Sequence, residues 1–225
     1  MEDQKEHWNN IWKRIQSEKQ RNNQPTFFAQ KTLEEVCLPE NSQILELACG
    51  LGCDTKYFLH HGHKVLAVDF SNEALQYLQH HLHSFCKSGK LQVGLFDLSK
   101  EFPTQIESIE LVYSRLGLHY FTFRRTQELF NLIYQALKPR GWLAFSVRST
   151  NDPLHGSGTF LEPNMFIYKG HVRHFMDKEI LLKHYLEKFH DIKLTEQKEH
   201  SRVILQCFAR KGGTKIMSKK RAISS

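Results

Sequence analysis

Residues 44–70 read ILELACGLGCDTKYFLHHGHKVLAVDF. An apolar run, Ile44 to Leu47, carries one acid, Glu46. A glycine loop follows (ACGLG, residues 48–52), then an amphipathic stretch, then a second apolar run that ends on Asp69. Short apolar strands joined by an amphipathic helix form a βαβ unit, so the two strands lie parallel in one sheet.

Working outward, the alternation continues. Strands are predicted at Gln43–Leu47, Lys64–Val68, Leu91–Leu95, Glu110–Ser114 and Trp142–Arg148. Helices are predicted at Phe27–Val36, Asp54–His61, Asn72–Phe85, Arg124–Leu137 and Asp177–Phe189, with Asp177 as the cap of the last. Two strands, His190–Gln197 and Arg202–Arg210, are separated by a junction short enough for a hairpin, which turns the final strand antiparallel. The fold class is therefore α/β, a mostly parallel, Rossmann-like sheet with helices on both faces.

Two segments break the pattern. Residues 1 to about 22 read as a polar helix with Trp8, Ile11, Trp12 and Ile15 on one face, either packed on the domain or serving as a flap over a pocket. Residues 149–176 hold three glycines, two prolines and no periodicity, and read as an irregular substrate-side segment. Phe160, Phe166, Tyr168, His171, His174 and Phe175 argue against disorder there, and the segment is expected to lie over the carboxyl ends of the strands. The domain is drawn as 1–210, with 1–37 as its helical flap and 211–225 as a basic tail.

An open parallel sheet binds ligands at the carboxyl ends of its strands. Gly50 and Gly52 let a ligand approach the backbone, and Asp69, 19 residues after Gly50, can accept both hydrogen bonds of a ribose diol. A dinucleotide loop needs G-x-G-x-x-G. One frame offers Ala48, Gly50 and Cys53, the other Gly50, Gly52 and Thr55. Neither supplies three glycines, which disfavours a pyrophosphate and leaves a nucleoside without phosphates.

The acid followed by x-G-x-G resembles motif I of the class I S-adenosylmethionine-dependent methyltransferases. The resemblance extends to Asp69 after strand two, Asp97 in LFDLS after strand three, LVYSRLGLHYF after strand four, and the terminal hairpin. The block ILELACGLGCDTKYFLHHGHKVLAVDFS is most similar to the tellurite-resistance and thiopurine methyltransferase-like group. The family commonly has glycine where this chain has Ala48, which implies a slightly altered loop.

The resemblance implies S-adenosyl-L-methionine as cofactor and a methyltransferase fold of seven strands. Gly50, Gly52 and Ala48 would form the loop against its methionine and ribose parts, and Glu46 would orient that loop or reach the amino group through water. Asp69 would hold the ribose, with Phe70 beside the adenine. Asp97 and the Leu98 backbone N–H would take the adenine edge, and Ser114 would line the methionine part. Either Asp69 or Asp97 could instead serve as a helix cap or turn. His119 follows strand four, where the methyl is transferred, as general base or as pocket wall. Arg148, His171, Arg173 and His174 are the substrate-side candidates. Convergent arginines suit an anionic acceptor; the alternative is that they are surface residues or pair with acids such as Asp152 and Asp177.

The acceptor expected is a small molecule: an oxyanion, thiol, amine or carboxylate. The net charge of +7 is mostly the tail, since removing the six basic residues of 210–225 leaves +1. That tail leaves a role in steering RNA or protein substrates open, as does a non-catalytic regulator that only binds the cofactor. No run reaches the roughly 20 apolar residues of a membrane span. A polar amino terminus and five cysteines without a C-x-x-C pair fit a cytoplasmic protein with reduced thiols. The HHGH and HHLH clusters lack a carboxylate or cysteine at ligand spacing, so no metal is expected.

Overall fold

The computed structural model describes residues 2–17, 24–103 and 107–213. The flap helix α1 spans Glu2–Ser17. Then come α2 (Phe27–Glu35), β1 (Gln43–Leu47), α3 (Cys53–His60), β2 (Lys64–Asp69), α4 (Asn72–His81), α5 (His83–Lys87) and β3 (Leu91–Leu95). The second half holds β4 (Ile109–Arg115), α6 (Phe123–Ala136), β5 (Leu137–Arg148), β6 (Thr159–Glu162), β7 (Met165–Tyr168), β8 (His171–His174), α7 (Lys178–Ile180), β9 (Phe189–Glu199) and β10 (Arg202–Lys211).

Seven strands form one sheet in the order β3-β2-β1-β4-β5-β10-β9. β10 runs antiparallel to both of its neighbours, as the hairpin predicts. Alternation along the strands divides the core. Ile44, Leu111 and Tyr113 pack with Phe28, Phe58 and Leu78 on one face. Leu45, Val112 and Phe145 pack with Phe130, Ile133 and Leu205 on the other. Each such wholly buried side chain contributes roughly 1.5–3 kcal/mol. β1 lies between β2 and β4, so strand order reverses at its carboxyl end, where a crevice opens.

Hydroxyl caps set several helix starts. Thr26 accepts from Ala29 N at 3.2 Å, Ser71 from Ala74 N at 3.3 Å, and Thr122 from Arg125 N at 3.3 Å. Asp177 caps α7 through Ile180 N at 2.7 Å, as expected.

Several expectations are corrected. Within the segment 149–176, residues 159–174 are not irregular: β6, β7 and β8 form an antiparallel three-stranded sheet. Its turns fall at Pro163–Asn164 and Lys169–Gly170, with Asn164, Lys169 and Gly170 all at positive φ, so the turn residues that look like loop are hairpin turns. The helix expected over Asn72–Phe85 breaks at Leu82 into α4 and α5. The helix expected over Asp177–Phe189 is one α-turn followed by a wider turn, Leu181–Tyr185, closed by Leu186 N to Leu181 O at 2.9 Å. Lys211 belongs to the fold, not to the tail. It lies in β10, and its buried ammonium donates to Leu137 O at 2.7 Å. The rest of the basic tail, 214–225, lies outside the described residues, as does the expected extension of α1 to residue 22.

Candidate active site

The loop after β1 is built on unusual backbone angles. Ala48, Gly50 and Gly52 all have positive φ, 58°, 53° and 76°. Cys49 N donates to Val68 O at 3.0 Å, tying the loop to the end of β2. A β-carbon on Gly52 would stand 2.3 Å from Leu78 Cδ1, so Gly52 lets α3 pack closely on α4. A β-carbon on Gly117, in the loop after β4, would come 2.7 Å from Ala48 Cβ, so the two loops touch at the strand-order reversal.

Asp69 closes this loop. Its Oδ2 accepts from Gly50 N and its Oδ1 from Ser71 N, both at 2.9 Å. Each oxygen keeps a lone pair for a further donor. Burial raises its pKa, against the backbone N–H groups of Ser71, Gly50 and Phe70. Phe70 follows it, half-buried.

Glu46 is buried in β1 and accepts from Thr55 Oγ1. Burial, then the nearby Asp54, then Asp69 raise its pKa well above the carboxylate range, and only the Thr55 bond opposes them. Asp54 in turn accepts from Thr26 N at 2.7 Å, Thr26 Oγ1 at 2.8 Å and Tyr113 OH at 2.7 Å. Ser114 is wholly buried, and its hydroxyl donates to Leu47 O at 3.1 Å, pinning β4 to β1. Asp97 also serves a local turn: Oδ1 accepts from Ser99 N and Oγ, and Oδ2, in a partly exposed side chain, pairs with Lys100 at 3.2 Å. Leu98 beside it is buried, and its carbonyl accepts from Arg125 Nε at 2.7 Å.

α1 covers this crevice. Trp12 lies against Gly50, Asn9 Oδ1 accepts from Ser71 Oγ at 2.5 Å, and Lys13 pairs with Glu73 at 3.3 Å. Trp8 stacks on Trp12 and meets Tyr120 and His171 edge-on. His7 lies 3.9 Å from the His171 ring, centre to centre. The flap thus spans from the glycine loop to the three-stranded sheet.

That small sheet is fastened at the carboxyl ends of β4 and β5. His174 N donates to His119 O at 2.8 Å, and Met176 N to Arg148 O at 2.8 Å. His119 is 1% exposed, and neither ring nitrogen has a hydrogen-bond partner. Burial, then Arg148, Arg173, His174 and Arg202, hold its pKa well below the usual histidine value, so it stays neutral at pH 7. Arg148 is paired with Asp152 at 2.7 Å, both side chains almost wholly buried. Among the substrate-side candidates this arginine therefore meets an acid, not open space. Arg173 has no such partner among the described residues. Its Nη1 donates weakly to Tyr168 O at 3.4 Å, and its buried Nε is unpartnered. His171 shares its face of β8, whereas His174 points the other way, toward Phe123.

Sequence reasoning missed Thr26, His7, Asn9 and Tyr120. The first two contact residues 28 and 164 positions away, for which no local pattern exists. Tyr120 stood inside the quoted LVYSRLGLHYF and could have been taken with His119. A surface hollow lined by Arg124, Asn131, Tyr134 and His184 shares no residue with this site.

Fold and crevice together define a Rossmann-like class I methyltransferase fold. Residues 44–141 match the family model for a methyltransferase domain. A carboxy-S-adenosyl-L-methionine synthase of Erwinia tasmaniensis is 30% identical over 125 residues, which is 53% of this chain and 50% of that one. This chain spans about half the length of the curated relatives it matches. Among solved structures, a SAM-dependent methyltransferase from Methanosarcina mazei superposes with a TM-score of 0.67 at 16% identity, covering 78% of this chain and 95% of that one. The 1,6-didemethyltoxoflavin-N1-methyltransferase of Burkholderia thailandensis, solved with bound 1,6-didemethyltoxoflavin and S-adenosylhomocysteine, gives 0.67 at 18% identity over 82% of this chain and 76% of that one.

Proposed function

We propose that this protein is an S-adenosylmethionine-dependent methyltransferase acting on a small molecule. The observation that carries this reading is Asp69, held at the end of β2 by Gly50 N and Ser71 N beside the reversal of strand order. The donor set fits the cofactor. Glu46, Asp54 and Asp69 form a buried acidic group beside the loop, suited to a ligand that carries a sulfonium and an ammonium. When bound, S-adenosylmethionine supplies an electrophilic methyl group for in-line displacement.

The protein's own residues position and shield. Gly50 and Ala48 shape the loop, Trp12 closes it, and Ser114 fixes the ends of β4 and β1 relative to each other. Phe70, Asp97 and Leu98 are the residues we assign to the adenine side. His119, neutral and unpartnered, is the candidate general base, able to take a proton from the acceptor. In this reading α1 and β6–β8 cover the acceptor. The B. thailandensis neighbour holds a small molecule, 1,6-didemethyltoxoflavin, beside S-adenosylhomocysteine. We further assign the chain to the tellurite-resistance and thiopurine methyltransferase-like group on its loop block, and to the cytoplasm on its five free cysteines.

Calorimetric titration with S-adenosylhomocysteine, beside Asp69→Ala, tests the reading. Wild type binds, and the variant loses about tenfold or more in affinity while its circular dichroism stays native. Equal binding by both proteins, or none by wild type, removes Asp69 as the ribose ligand and the reading with it.

A further inference from the structure

Among the described residues, the buried polar atoms without partners include single ones at Trp12, His63, His174, Tyr185, Thr195 and Gln206, and one cluster. His7 Nε2, His119 Nδ1 and Nε2, His171 Nδ1 and Arg173 Nε are all buried and unpaired, and all belong to the region between α1, the loop after β4 and β8. Leaving such groups unsatisfied in the interior is costly, so a cluster of them marks a place where a ligand supplies the missing bonds. His171 and Arg173 sit two apart on β8 and face the same side. His7 is brought to His171 by the flap, and Trp8 closes over Tyr120 beside His119.

Charge narrows the ligand. Arg148 is neutralised by Asp152, whose Oδ2 also accepts from Val203 N and whose Oδ1 accepts from Leu154 N. Burial, then Arg173, then His7 lower the His171 pKa to about 4, and His119 is likewise neutral. Arg202 is exposed. The region therefore offers one half-buried guanidinium with an open Nε–H, flanked by the neutral imidazoles of His119 and His171, which can each donate one hydrogen bond. One fixed positive charge matches a monoanion, and a guanidinium flanked by N–H donors matches the two oxygens of a carboxylate.

We propose that the acceptor is a carboxylate-bearing small molecule whose carboxylate is bound by Arg173 and His171, with His7 of the flap completing the site. This rests on the methyltransferase reading for the word acceptor, but not for the site itself. It makes His7 and Trp8 part of the acceptor site and Trp12 part of the cofactor site, so one helix closes over both ligands.

The test uses the full chain, with benzoate as probe and benzamide as its uncharged isostere, each titrated with and without S-adenosylhomocysteine. Wild type binds benzoate and not benzamide. Arg173→Gln loses about tenfold or more of benzoate affinity, His7→Ala loses less, and Arg173→Lys falls between wild type and Arg173→Gln. Retained S-adenosylhomocysteine binding shows that each variant is folded. No benzoate binding by wild type, equal binding of benzamide, or an unchanged Arg173→Gln overturns the proposal. Tighter binding of inorganic phosphate than of benzoate overturns the assignment to a monoanion. Loss of S-adenosylhomocysteine binding by wild type, with benzoate still selected by Arg173, would instead sink the methyltransferase reading and leave the anion site standing.

Discussion

Trp12 lies so close to Gly50 that a β-carbon built on the glycine would stand 2.9 Å from the indole Cη2. The same glycine has φ of 53°, so two separate requirements meet at one position. They can be told apart by a double-mutant cycle. Gly50→Ala is expected to cost about 2–3 kcal/mol, from the left-handed angle and from overpacking against the ring. Gly50→Ala combined with Trp12→Ala should recover about 1 kcal/mol of this, read from urea denaturation. Strictly additive losses would show that Trp12 does not rest on the loop in solution.

Ala48 presents the opposite case. It occupies a left-handed conformation, φ 58°, that costs an L-residue about 1–2 kcal/mol, and glycine adopts it freely. Ala48→Gly should therefore stabilise the protein by about 1 kcal/mol, or roughly 2–4 °C in Tm by calorimetry. A lower Tm would mean that the Ala48 methyl group, which packs toward Gly117, is worth more than the strain it carries.

These two positions also show what can be read from a sequence. The alternation of strands and helices, the parallel order and the final hairpin follow from hydrophobic period and turn residues, which are local, and the structure has them. The glycine loop and Asp69 were legible because loop and acid sit at fixed offsets from strand ends. The segment 149–176 was not, because β6–β8 are four residues each, too short to display a period, and their turns look like loop. The pairing of Arg148 with Asp152 was visible only as one of two alternatives, since a spacing of four fixes proximity on a helix and not in a loop. The reach of His7 to His171 had no sequence signal at all.

Asp54 is one such unsignalled hub. It sits in the first turn of α3, yet it accepts from the backbone and hydroxyl of Thr26, the cap of α2, and from the buried Tyr113 hydroxyl. Hydrogen bonds to a charged group are worth about 1.5–3 kcal/mol, and removing the acid strands Tyr113 OH in the core. Asp54→Ala is expected to cost about 3 kcal/mol or more in chemical denaturation, and Tyr113→Phe much less, because it removes the donor together with its need. Similar losses for the two would place the Asp54 effect elsewhere than in this network.

Glu46 offers a pH signature. Its folded pKa is raised well above 4.5 by burial, then by Asp54, so the folded state binds a proton that the unfolded state releases more easily. The sign follows from linkage: the favourable protonated state is fully present below the unfolded pKa, about 4.3, and its contribution is lost as pH rises through the folded value. Glu46→Gln keeps an oxygen for Thr55 Oγ1 and cannot ionise. Its stability relative to wild type should therefore be least at pH 4, grow as pH rises from there, and level off once Glu46 ionises in the folded protein. Denaturation curves of both proteins at several pH values check this, and a difference that stays flat with pH would show that Glu46 ionises as it does in water. Since a cationic ligand in the loop favours the ionised form, S-adenosylmethionine is expected to shrink the difference at alkaline pH. The neutral sulfur of S-adenosylhomocysteine should do so less, and equal effects would argue that the sulfonium lies outside the reach of this carboxylate.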